Sequence, residues 1–162
     1  MRADYPPTPT FPQRLSPAAD RARRRLKRCL WRPAGLDLLA IWECGWNDGG
    51  CGVLAGAVQR WLGPAVKLVG LWDSDGLEHV VAQIGGYYLD GDGLSTRRCL
   101  LQRWRIVEGR PHVQLRLFAR ADLQAAGIPR YDVVEQELAS YLNRWLSADE
   151  LRALAREGEP GR

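Results

Sequence analysis

Histidine is scarce in this chain. His79 and His112 are its only two, set against four cysteines, Cys29, Cys44, Cys51 and Cys99. The cysteines show neither a CxxC knuckle nor the close spacing of a disulfide framework, so free thiols are expected. A zinc centre would have to gather scattered ligands from these six residues, and no metal or other cofactor is expected. The zinc deaminase signature fails as well, because no glutamate lies two residues after His79 and no PCxxC follows. No apolar run approaches the roughly 18 residues that a spanning helix needs. Met1 to Pro12 is proline-rich and lacks an apolar h-region, so neither a membrane contact nor a secretory leader is expected. A cytoplasmic location follows as the expectation, with export by another route left open.

At 162 residues and 18.2 kDa the chain has the size of one domain with a substantial core. Its charge is uneven. Residues 1–32 hold nine Lys/Arg and two acids, a net +7, while the remaining residues hold 14 and 17, a net −3. The basic character therefore belongs to an N-terminal arm. Residues 1–15 read as an extended, proline-rich tail and 16–162 as a single domain, opened by a basic helix over 16–32. Ser16-Pro17 supplies an N-cap and a proline at the first helical position. Arg21, Arg23, Arg24, Arg25, Lys27 and Arg28 crowd this helix, which is expected to lie on the surface. They offer a contact for nucleic acid or an acidic protein. No aromatic residues interleave the basic run, so a solvated face is favoured over a nucleic-acid interface.

After Pro33 a short helix is expected over Leu36 to Trp42, then a glycine-rich loop over Gly45 to Gly50. From Cys51 the apolar steps Val53, Leu54, Ala57, Val58, Trp61 and Leu62 run in threes and fours, the period of a helix with one buried face. Gly63-Pro64 ends it. Gly52, Ala55 and Gly56 keep its other face small enough for close approach. Strands are expected at Val66–Trp72, His79–Ile84 and Tyr87–Asp90, the last two joined by the hairpin pair Gly85-Gly86. A loop over Gly91–Thr96, strands at Leu100–Val107 and Val113–Phe118, and a short helix at Asp122–Ala126 follow. Val133–Leu146 is amphipathic, and Ser147 to Glu150 forms a capping box for a last helix. The class is α+β, an antiparallel sheet with terminal helices.

Counting outward from Gly85-Gly86 sets Ile84 opposite Tyr87, Gln83 opposite Tyr88 and Ala82 opposite Leu89. His79, Val81, Gln83, Tyr88, Asp90 and Asp92 then share one face. Val80, Ala82, Ile84, Tyr87 and Leu89 share the other, core-facing side. Asp90 is a diagonal neighbour of His79 and is favoured to orient it, with Asp92 the alternative.

Cys51 stands at a helix start, where the helix dipole, an imidazolium and free amides all favour thiolate. Its own N–H can donate to an oxyanion, with Asn47 as a candidate second donor. His79 suits the general base and acid, and Asp90 the group that holds its tautomer. The order GGC, HVV and GYYLD resembles the papain-like and transglutaminase-like cysteine enzymes, over about Asn47 to Thr96 and closest to short bacterial members. The resemblance implies a papain-like α+β fold, a nucleophilic cysteine on a helix packed on the sheet, and acyl transfer through a thioester. By position it assigns Cys51, His79 and Asp90 as the triad. Gly52 stands where the papain type has tryptophan, and the upstream glutamine is absent.

The function expected is therefore a cysteine-dependent hydrolase or acyltransferase on an amide or isopeptide bond of a protein or peptide. The acidic surroundings suit basic or amine-bearing substrates. The alternative is a non-catalytic domain of similar fold that binds through the basic helix. The repeated Asp-x-Asp-Gly loops at Asp73–Gly76 and Asp90–Gly93 invite a calcium reading. The EF-hand pattern fails, since Leu94 replaces the third ligand and Leu101 the closing glutamate.

Overall fold

The computed structural model describes residues 15–40, 44–117, 121–122 and 131–157. Nearly all of the expected N-terminal tail, most of the short helix at Asp122–Ala126 and the final residues 158–162 lie outside it. Among the described residues no helix is long and apolar enough to cross a membrane.

The architecture is α+β. In chain order come α1 (Pro17–Leu30), α2 (Pro33–Leu36), α3 (Cys51–Leu62), β1 (Lys67–Asp73), β2 (Gly76–Ile84), β3 (Tyr87–Asp90) and β4 (Gly93–Thr96). Then follow α4 (Arg97–Ile106), β5 (Gln114–Leu117), α5 (Asp132–Asn143) and α6 (Ala148–Arg156). The five strands form one antiparallel sheet in the order β4-β3-β2-β1-β5.

Helix α1 starts where Ser16 Oγ accepts the Ala19 N–H, 3.2 Å. It lies against the core rather than on the surface alone. Ala19, Ala22, Leu26, Cys29 and Leu30 are buried, a complete stripe at three- and four-residue steps. The alanines and Cys29 are small enough to hide between the arginines, so the run reads as basic while its inner face is apolar. Its last carbonyls, which no helical N–H can reach, are taken by side chains. Trp46 Nε1 donates to Leu30 O at 2.7 Å, and Tyr141 Oη donates to Cys29 O at 2.8 Å. The loop before α3 and helix α5 are thereby tied to the same helix end.

The hairpin β2–β3 has the register that its glycine pair dictates, with Ala82, Gln83 and Ile84 opposite Leu89, Tyr88 and Tyr87. Val80, Ala82, Ile84, Tyr87 and Leu89 pack under α3, α5 and α6 in the main core. The opposite face is also buried, and here the structure corrects two expectations. Residues 97–106 are a helix, not a strand. Thr96 caps it by accepting the Cys99 N–H at 3.3 Å, and Cys99, Leu100, Leu101, Arg103 and Trp104 face inward. Spacing of Leu100, Leu101 and Trp104 by one and three residues fits one helix face better than alternation. Helix α4 covers Val69, Leu71, Val81 and Tyr88 to make a second core. Gly93–Thr96, expected as loop, is strand β4: Asp90 pairs with Gly93 across the two-residue turn Gly91-Asp92, a hairpin signal of the Gly-Asp kind. The expected short helix after Pro33 is displaced to Pro33–Leu36, and residues 41–43 lie outside the described set.

Gly85 sits at the hairpin tip with φ of +58°, and a Cβ there would lie 2.4 Å from the Ala155 carbonyl oxygen and 2.7 Å from its Cα. Backbone cannot swing aside as a side-chain end can. Gly85→Ala is expected to lower unfolding stability by about 2 kcal/mol or more, through positive φ and overpacking together. Urea unfolding measures it, and a wild-type midpoint would contradict the packing of α6 on this turn.

Candidate active site

Cys51 is the first residue of α3. The helix enters from Gly50, whose side offers no cap, and no acidic residue occupies the first turn. Leu54 is the first N–H to reach a helical carbonyl, that of Gly50 at 3.0 Å. The amides of Cys51, Gly52 and Val53 therefore lie ahead of the ladder, at the positive end of the helix. The approach to this point is a tight loop. Gly45 and Asp48 exchange backbone hydrogen bonds, and Gly50 N–H returns to Gly45 O at 2.9 Å. A Cβ on Gly50 would meet Leu39 at 2.6 Å and the Gly45 carbonyl at 2.7 Å, so the Gly-Gly before Cys51 is a packing requirement.

The sheet opens where the sulfur enters it. Successive N–H groups of an antiparallel strand point to alternate neighbours. Because Ile84 pairs with Tyr87 across the turn, Ala82 and Val80 also direct their N–H groups toward β3. Pairing stops at Ala82–Leu89, although both strands continue. The Val80 N–H is thus left unpaired with β3 and, with the Gly52 N–H, favours the charged form of the Cys51 sulfur. On β2 a bulge inserts Glu78 between Leu77 and His79, since Trp72 pairs with Leu77 and Leu71 with His79. His79 shares the face of Val81 by alternation, on the α4 side, where its ring stacks on Trp104 with centroids 4.9 Å apart.

His79 and Asp90 are 1% and 2% exposed, and Cys51 is 8% exposed. Nε2 of His79 lies 3.5 Å from Asp90 Oδ2. Neither ring nitrogen completes a hydrogen bond of full geometry among the described residues. Burial opposes a charge on the ring, but Asp90 and the Cys51 sulfur outweigh it and push His79 up to about 9. Burial likewise opposes a thiolate at Cys51, yet His79 and the Val80 and Gly52 amides bring the thiol below its ordinary value. Asp90 is buried too, and the Arg103 guanidinium, with His79, holds its carboxyl well below the usual carboxylate range. Cys51, His79 and Asp90 thus come together, with the thiolate–imidazolium form favoured.

Arg103 is the residue that sequence reasoning missed. It projects from α4, is 9% exposed, and pairs through Nη2 with Asp90 Oδ2 and through Nη1 with Asp92 Oδ2 at 2.9 Å. A strand over Leu100–Val107 hides it, and the available signal is the Thr96 cap followed by a helical step from Leu100 to Trp104. Asp92 faces away from the imidazole. Besides Arg103 it takes Lys27 Nζ at 2.9 Å and the Asn47 Nδ2 at 3.3 Å. Asn47 is engaged at both ends, since its Oδ1 accepts the Gly91 N–H at 3.1 Å. It pins the Cys51 loop to the β3–β4 turn instead of presenting its amide to the sulfur.

The other Asp-x-Asp-Gly loop is filled in the same manner. Asp73, Asp75 and Glu78 lie close enough to hold a cation, but Arg110 binds all three, at 3.2, 2.8 and 2.9 Å. In the basic arm, Arg23 and Arg24 pair with Asp20, Arg25 with Glu150 and Lys27 with Asp92. Four of the six cations are thus taken up by acids of the same fold, while Arg21 and Arg28 are exposed. Compared with family models, curated proteins and solved structures, the chain matches none.

Thiol reactivity should follow this electrostatics. Cys29 is buried and pushed up to about 11, and burial and Asp48 also raise Cys44. At pH 7 iodoacetamide is expected to modify Cys51 ahead of both, as peptide mapping would read. His79→Ala should slow Cys51 by at least about tenfold at that pH by removing the charge that favours thiolate. Equal rates in the two proteins would contradict the pairing.

Proposed function

We propose that the chain is a papain-like cysteine hydrolase or acyltransferase acting on an amide or isopeptide bond. The observation that carries this reading is the depressed thiol of Cys51 at a helix start, beside a buried His79 that Asp90 holds protonated. A thiol whose charged form is favoured by a neighbouring imidazole has no structural purpose that a buried small side chain would not serve better.

The step balances with these groups alone. The Cys51 thiolate attacks the carbonyl carbon, and the oxygen takes the charge, facing the amides at the start of α3. When the C–N bond breaks, His79 gives its proton to the departing amine, leaving a thioester and a neutral ring. Water or an acceptor amine then attacks the thioester and passes a proton to His79, releasing the acyl product and restoring thiolate and imidazolium. Asp90 stays ionised throughout and supports the ring. Catalysis therefore needs a protonated His79 in its first half. Turnover should hold across neutral pH and fall as pH rises through about 9, where the ring loses its proton.

An activated acyl ester, such as a p-nitrophenyl ester, tests the proposal. Intact-mass measurement is expected to show one acyl adduct on the wild-type chain, mapped to Cys51 and lost in Cys51→Ala. In His79→Ala its formation should fall by about a hundredfold or more. No adduct on Cys51, or equal labelling in His79→Ala, would rule the reading out.

A further inference from the structure

The buried polar cluster extends beyond the three residues that the reaction uses. One carboxylate oxygen, Asp90 Oδ2, faces His79 Nε2 at 3.5 Å and is also held by Arg103 Nη2. The other, Oδ1, accepts the Asp92 N–H at 2.9 Å. Arg103 Nη1 spans to Asp92 Oδ2, and the opposite oxygen of Asp92 takes Lys27 from α1 at 2.9 Å. Cys51, His79, Asp90, Arg103, Asp92 and Lys27 thus alternate in sign, three anions against three cations.

We infer that Arg103 is the positioning residue of this site: its two-pronged grip fixes the Asp90 carboxylate against His79 and shares its charge, which limits how firmly the imidazolium is held. The inference rests on the acyl-transfer reading for its purpose, though not for its geometry. A carboxylate bound to one ring alone would stabilise the imidazolium fully and make it a reluctant proton donor. A second cation on the same oxygen weakens that hold, and its own positive charge opposes a charge on the ring. The fork matters as well as the charge. A planar guanidinium can bridge two carboxylates at fixed angles, whereas an ammonium bonds as a point.

The groups that face this cluster are few. Cys51 comes from α3, Asp90 from β3, Asp92 from the β3–β4 turn, Arg103 from α4 and Lys27 from α1, with Glu108 also acting on Arg103. Glu78, next to His79 in the chain, is engaged by Arg110. Trp104, beside Arg103 on α4, covers the ring face and adds no charge.

The chain has two histidines, so an imidazole NMR titration with His112→Gln as the assignment control reads His79 directly. In Arg103→Gln the His79 midpoint is expected to move up by about one pH unit, as loss of a neighbouring cation requires. On a p-nitrophenyl ester, kcat should fall by about tenfold or more with KM little changed. Arg103→Lys keeps the charge and guards against a Gln variant that fails to fold. It should return the His79 midpoint to near its wild-type place while kcat stays several-fold low, because the fork is gone. A purely structural Arg103 would lower the melting temperature and leave the His79 midpoint and kcat of the folded variants unmoved, and that result overturns the inference. An unmoved midpoint in Arg103→Gln, or in Arg103→Lys a wild-type kcat, does the same. The titration reads the effect of Arg103 even if Cys51 forms no acyl adduct, so failure of the acyl-transfer reading is told apart from failure of this one.

Discussion

A carboxylate sealed between a sheet and a helix must be answered by positive charge, or it protonates. Asp90 meets that demand with two cations from opposite directions, His79 on β2 and Arg103 on α4. Much of the structure follows from keeping them there. Helix α4 must lie on the sheet to deliver Arg103, and its apolar residues make the second core that holds it down. The β3–β4 turn must be tight enough to bring Asp92 beside Asp90, and a Cβ at Gly91 would strike both Trp46 and Asn47 at 2.6 Å. Helix α1 then closes the outer end with Lys27, and its basic face doubles as a source of countercharge.

The parts of this arrangement that sequence made legible are those governed by local rules. Gly85-Gly86 dictates a two-residue turn, the turn dictates register, and register puts His79 and Asp90 on one face. The apolar steps after Cys51 and the breaker Gly63-Pro64 bound α3. What stayed hidden depended on tertiary partners. Leu100 to Val107 is short and apolar enough to read as either strand or helix, and only the sheet face waiting to be covered decides it. Read as a strand, that segment gives no reason to bring Arg103 to the His79 face. The bulge at Glu78 and the early end of β2–β3 pairing leave no sequence signal, since both depend on how whole strands meet.

The two Asp-x-Asp-Gly loops show how one sequence pattern can be satisfied by different chemistry. Carboxylates gathered at a turn call for a cation, and a metal ion is one answer. Here Arg103 and Arg110, at the end of α4 and just beyond it, supply guanidinium groups to the two loops. The sheet and the α4 segment are thereby linked by ion pairs at both ends. The link is made by the chain's own side chains and draws no metal ion from solution.

The gap where β2 and β3 part company has a consequence for when the thiol becomes reactive. Cys51 acquires its character from the Val80 amide, from His79, and at one remove from Asp90 and Arg103. These lie 28 to 52 positions further along the chain. None of them is near the sulfur in an unfolded polypeptide, where Cys51 is one ordinary thiol among four. The nucleophile is in this sense a late product of folding, and a nascent or damaged chain carries no activated sulfur to misuse.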